Sequence, residues 1–98
     1  MNRDIFLLRY TSEYKKDFKQ ISKKDKLLAS KVVEVLEKLV VNPFSIDLGT
    51  HIVRVTSLGR VYSSKVSGDI RILWTLEEED IILLHRIGGH SGGSKVYK

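Results

Sequence analysis

Between Val61 and Ile87 the chain offers three apolar runs separated only by short polar turns, and this pattern restricts the fold more than any other feature. Val61 to Val66, Ile70 to Leu76 and Ile81 to Ile87 have strand length and strand composition. Ser67-Gly68-Asp69 has the make-up of a tight hairpin turn, and Glu77-Glu78-Glu79-Asp80 that of a solvated hairpin tip whose adjacent carboxylates repel and are not spaced as metal ligands. Turns this short join antiparallel neighbours only, because a parallel crossover needs a dozen residues or more.

The segments before this meander are helical. Ile5 to Arg9 is a short apolar strand; Ser12 is a helix N-cap with Glu13 in the first turn, followed by Tyr14, Phe18 and Ile21 on one stripe. Ser22 and Asp25 have capping-box spacing before Leu28, Val32, Val35, Leu36 and Leu39, which recur at helical spacing up to Asn42-Pro43. A polar connector runs through Gly49, with a short extended piece at Ile52 to Val55. Two helices with one apolar face each predict a hairpin lying on a sheet. The expected fold is α+β: an N-terminal strand, a two-helix hairpin and a three-stranded antiparallel sheet, in the order β-α-α-β-β-β. With 98 residues, 42% of them hydrophobic, residues 1–98 suit a single domain with one modest core.

The formal charge of +5 favours polyanions. Residues 15–31 carry Lys15, Lys16, Lys19, Lys23, Lys24, Lys26 and Lys31 against Asp17 and Asp25, a charge of +5 that is as large as the whole chain's. This reads either as an ordinary solvated surface or as an RNA-binding one. There is no cysteine, which excludes a disulfide framework and a thiolate metal site, and neither metal nor organic cofactor is expected. The apolar run Ile5 to Leu8 is too brief for a signal peptide or a membrane span, so a complete cytoplasmic chain with no membrane partner is expected.

Alternation assigns the chemistry to a face. Ile70, Ile72, Trp74 and Leu76 share one side of their strand, Arg71, Leu73 and Thr75 the other. In the last strand Ile82, Leu84 and Arg86 share one side and Ile81, Leu83, His85 and Ile87 the other, which makes His85 a core imidazole. If helices cover the Trp74 side, the opposite face displays Arg71 and Arg86, joined by Lys65 from the hairpin partner. The strand then runs into Gly88-Gly89-His90-Ser91, a glycine-rich end suited to close approach of backbone to a phosphate. Cleaving RNA through its 2′-hydroxyl needs a group to take that proton, one to protonate the departing oxygen, and cations for the charge developing on phosphorus. His90 suits the proton transfers, since an imidazole titrates near ~6.5. Arg71 and Arg86 suit the phosphate, Lys65 adds charge, and Tyr97 either stacks on a base or packs on the sheet. Each residue also has an ordinary reading: Arg71 paired with Asp69, His90 solvated in a loop, His51 without assignment.

The element order and the run Lys65-Val66-Ser67-Gly68-Asp69-Ile70-Arg71-Ile72-Leu73-Trp74 resemble the RelE/ParE superfamily of toxins from toxin–antitoxin pairs. Arg86-Ile87-Gly88-Gly89-His90-Ser91 looks most like the YafQ-type branch, whose last strand also runs into a glycine and a His-Ser pair. The resemblance implies an endoribonuclease that enters the ribosomal A site, cuts messenger RNA without a metal, and is blocked by a cognate antitoxin. By position it assigns catalysis to Arg71, Lys65, His90 and Arg86. The chain departs from the pattern in Ser67, an extra turn residue, and in Gly92-Gly93-Ser94, where the YafQ branch has an acid and an aromatic; Tyr97 is a displaced substitute. Two other functions fit the same fold: a ParE-like protein that binds DNA gyrase without chemistry, and a non-catalytic RNA- or partner-binding module.

Overall fold

The computed structural model describes residues 5–57 and 59–89. Their order is β1 (Leu7–Tyr10), α1 (Ser12–Lys24), α2 (Lys26–Val41), a 3-10 turn (Ile46–Leu48), β2 (His51–Thr56), β3 (Gly59–Ser67), β4 (Ile70–Glu77) and β5 (Ile81–Gly89). The five strands form one mixed sheet in the order β1-β5-β4-β3-β2, with β1 parallel to β5 and every other pair antiparallel. The expected α+β architecture is therefore present with one more strand. The piece around Ile52 to Val55 is a full strand, pairing His51–Thr56 along β3. Its side chains are mostly exposed, as an edge strand's can be, so hydropathy alone undersold it.

Two helix boundaries differ from the sequence expectation. Thr11, not Ser12, caps α1: its hydroxyl accepts from the Tyr14 N–H at 3.1 Å and donates to the His85 carbonyl at 3.0 Å. Asp25 is the cap of α2 rather than the third position of a helix begun at Ser22, and its carboxylate accepts from the Leu28 N–H at 3.0 Å. Asp25 also ends α1, so one extended residue turns the chain between the two helices.

Both helices lie on the Trp74 side. Val32, Val35 and Leu39 of α2 and Tyr14 of α1 pack with Ile72, Trp74, Ile82, Leu84 and Ile87 into the core. Trp74 is fully buried, stacks on Tyr62 at 4.6 Å, and donates its indole N–H to Ser64 Oγ at 2.8 Å. Thr50 gives its one hydroxyl proton to the Pro43 carbonyl at 2.7 Å, so Ser64 donates across the 2.6 Å contact to Thr50. The relay joins β4, β3 and the connector by hydrogen bonds between groups that are otherwise costly to bury.

A bulge divides β5. Trp74 pairs with Leu84 but Leu73 pairs with Arg86, leaving His85 as the extra residue. Ile82, Leu84 and Ile87 consequently all face the core, whereas strict alternation had placed Ile87 opposite the first two. His85 is thereby turned away from the core it was expected to join: it is half-buried, and its ring nitrogen Nε2 meets Thr75 Oγ1 at 3.0 Å on the open side.

Candidate nucleic-acid interface

Because the helices occupy one side of the sheet, the side chains of the other side define the accessible face. Arg71, Leu73 and Thr75 project there from β4, Val61 and Lys65 from β3, and Ile81 and Leu83 from β5, as pairing and alternation require. Two regions follow along this face.

The first lies at the β3–β4 turn. Lys65 stands directly opposite Arg71 in the ladder. The turn between them is tightened by Gly68, whose φ of 53° is the left-handed conformation that a glycine adopts freely. Arg71 folds toward this turn, donating from Nη1 to the Gly68 carbonyl at 3.1 Å. On its other side Arg71 pairs with Gly88, and Ile70 with Gly89, so β5 ends beside the two cations. His90 and Tyr97 lie outside the described residues.

The second region is a hollow of about 850 Å³ further along the same face. Val61, Leu73 and Leu83 give it an apolar lining, Thr75 and His85 bring hydrogen-bonding groups, and Arg9, Arg54 and Arg86 surround it together with Glu77. Leu73 is almost fully buried yet belongs to this face rather than to the helix-covered core. Arg9 and Glu77 pair with each other at 3.3 Å. Burial pushes the His85 imidazole below its ordinary value, with Arg54 acting in the same direction and Glu77 and Glu13 opposing. His85 is thus neutral at physiological pH, one ring nitrogen a donor and the other an acceptor.

Arg86 is held by α1. Its Nε and Nη2 donate to the Asp17 carboxylate at 2.8 and 3.2 Å, and Asp17 also accepts from the Ile87 N–H at 2.9 Å. Donation to Asp17 raises the Arg86 guanidinium further above its already high value. The pair fastens α1 to β5 just past the point where β1 stops pairing, at Leu84. Arg86 reaches the hollow with its charge opposed by this carboxylate, whereas Arg71 touches carbonyls only among its described bonds.

The expected lysines are all exposed, but on the helical layer. Lys15 and Lys19 border a groove with Tyr14, Phe18, Val33 and Leu36 on the far side of the sheet from the hollow. Lys24 alone of the seven lines a smaller recess with Ile87 and Gly88, next to the β5 end. His51 is exposed, with Nδ1 3.1 Å from the Gly49 carbonyl. The sequence gives Arg9, Arg54 and Thr75 no site role, and it assigns His85 to the core. Thr75 had a usable signal, two residues beyond Leu73 on the Arg71 face; His85 had none, because nothing in the sequence marks the bulge.

Among the described residues no cluster of three or more histidines, aspartates or glutamates is placed to hold a metal ion, and no helix is long and apolar enough to cross a membrane. No protein-family model matches the sequence, and no curated protein does. Solved structures do. The sheet order and the helical hairpin on one face, with no described element on the other, are also the fold of several solved toxins. The chain is similar to a YoeB/ParE toxin from Agrobacterium tumefaciens, with 12% identity, TM-score 0.73 and coverage of 87% of this chain and 99% of that one. It is similar to the YoeB–YefM toxin–antitoxin complex of Staphylococcus aureus, with 17% identity, TM-score 0.71 and coverage of 88% and 98%. The DinJ–YafQ toxin–antitoxin complex of Escherichia coli matches with 23% identity, TM-score 0.62 and coverage of 92% and 94%. At such identities the likeness establishes fold; the chemistry rests on this chain's own residues.

Proposed function

We propose that this chain is the toxin of a toxin–antitoxin pair and an endoribonuclease that cuts messenger RNA on the ribosome, in the cytoplasm. The observation that carries this reading is the Lys65–Arg71 pair on the bare sheet face, with the end of β5 delivered beside it by the Gly88 and Gly89 pairings. In the proposed reaction the 2′-hydroxyl attacks the adjacent phosphorus as its proton is removed. The P–O5′ bond breaks, and the departing 5′-oxygen receives a proton. Arg71 and Lys65 hold the phosphate and offset the charge that grows on its oxygens, and Arg86 adds positive potential from its anchored position. His90, which follows Gly89 in the chain, serves proton transfer, and Tyr97 stacks on a base. The helical lysines grip ribosomal RNA, and a cognate antitoxin covers the sheet face in the resting pair. Supporting the antitoxin is the match to two toxin–antitoxin complexes.

The test is cleavage of message on translating ribosomes together with growth on induction. Arg71→Ala should lower cleavage about 10²-fold to 10³-fold, as removal of a transition-state donor does. His90→Ala should lower it at least about 10²-fold. Inhibition of gyrase supercoiling with no RNA cut, unaffected by His90→Ala, would instead establish the ParE-like reading.

A further inference from the structure

The hollow beyond the Lys65–Arg71 pair joins an apolar floor to a charged rim in which Arg9 is paired with Glu77 and Arg86 with Asp17, beside Arg54 and Glu78. The floor is formed by Val61, Leu73 and Leu83, and Thr75 and His85 add neutral hydrogen-bonding groups beside it. A flat aromatic ring satisfies such a floor, and edge groups on the ring satisfy the hydroxyl and the imidazole. Thr75 lies four residues from Arg71 on the same face of β4, about 13 Å along the strand, so a single strand of RNA can occupy both regions. Phosphate is drawn toward Lys65 and Arg71, which leaves the hollow for the neighbouring base.

We infer that the hollow is a nucleobase subsite in which Thr75 and His85 read the edge of a base one or two nucleotides from the scissile phosphate, setting sequence preference. The inference rests on the nuclease reading for the position of the cut, whereas binding of the base is independent of it. Burial that keeps the imidazole neutral leaves it one donor and one acceptor, and the Thr75 hydroxyl can rotate to complement either. Glu77 only accepts; Arg9 holds one of its oxygens, and the other suits an exocyclic amine, of which uracil has none.

Two measurements separate the inference from the reading beneath it. In the first, the whole protein is titrated with the four nucleoside 5′-monophosphates while backbone amides are followed by NMR. Amides of Thr75, Leu83 and His85 should shift, with AMP, CMP or GMP binding at least threefold tighter than UMP. Thr75→Val and His85→Gln should each weaken the preferred nucleotide about threefold to tenfold, the effect of one hydrogen bond. Shifts confined to Lys65 and Arg71, or matched by inorganic phosphate alone, overturn the subsite. In the second, cut positions are mapped on translating ribosomes. A base preference beside the cut that flattens in Thr75→Val supports the subsite, and a preference unchanged in both variants overturns it. Nucleotide binding in the hollow without any cleavage by the wild type removes the nuclease reading and leaves the subsite standing.

Discussion

At the scale of single residues, three side chains decide more than their number suggests. Asp17 is 16% exposed and accepts from both Arg86 and the Ile87 N–H, so its loss leaves a guanidinium and a backbone donor without their acceptor at the join of α1 and β5. Asp17→Ala should cost about 1–2 kcal/mol by urea denaturation; the figure is modest because the Arg86 side chain is 43% exposed and water screens the pair. Tyr14 is the opposite case. It is 3% exposed, its hydroxyl finds no partner among the described residues, and burial pushes its phenol well above the ordinary value. Tyr14→Phe should therefore be neutral or stabilising by up to about 1 kcal/mol, since an unpaired buried hydroxyl contributes nothing to offset its desolvation. His85 carries the pH dependence. Its folded value lies below the ordinary 6.5, so the unfolded chain binds the proton first as pH falls. Stability contributed by the neutral imidazole is complete above about 6.5 and declines below it, levelling off once the folded form is also protonated. His85→Gln should flatten the stability profile just below pH 6.5, which thermal melts across that range will read.

At the scale of elements, the turns and caps show where local chemistry and fold agree. Gly68 takes the left-handed conformation of the β3–β4 turn at no cost, but Glu78 takes it in the acidic turn with φ 56°. That conformation costs a side chain about 1–2 kcal/mol, partly offset in a glycine variant by greater freedom of the unfolded chain. Glu78→Gly should raise stability by about 0.5–1 kcal/mol, a melting shift of a few degrees. Thr11 does two jobs, capping α1 and fastening the His85 carbonyl. The sequence made Ser12 an equally plausible cap, because both residues are good caps and only the packing of α1 against β5 selects which hydroxyl meets the Tyr14 N–H. The Asp25 cap was misjudged for a related reason: a Ser-x-x-Asp spacing is satisfied by chance inside α1, and only the chain reversal between the helices puts Asp25 at a helix start.

At the scale of the whole molecule, charge and shape are separated. The lysines that give residues 15–31 a charge of +5 sit on the helical layer, and the cations proposed for chemistry sit on the sheet face. If the former grip ribosomal RNA, Lys15→Gln, Lys16→Gln and Lys19→Gln together should lower the salt slope of RNA binding by about 2, at ~0.7 per single-strand phosphate contact. An unchanged slope would return those lysines to the solvated surface. The sequence by itself determined the meander from Val61 to Ile87, the helical hairpin and the burial of Ile72 and Trp74, because period-two and period-3.6 patterns report which face meets a core wherever pairing is regular. Only the tertiary structure decided the rest: the fourth antiparallel strand at the exposed edge, the pairing of Arg86 with Asp17, and the turning of His85 into a hollow beside Thr75. One extra residue in β5 reverses the facing of all that follow it, and the cost of that irregularity is met by contacts from α1 that lie some seventy positions away in the chain.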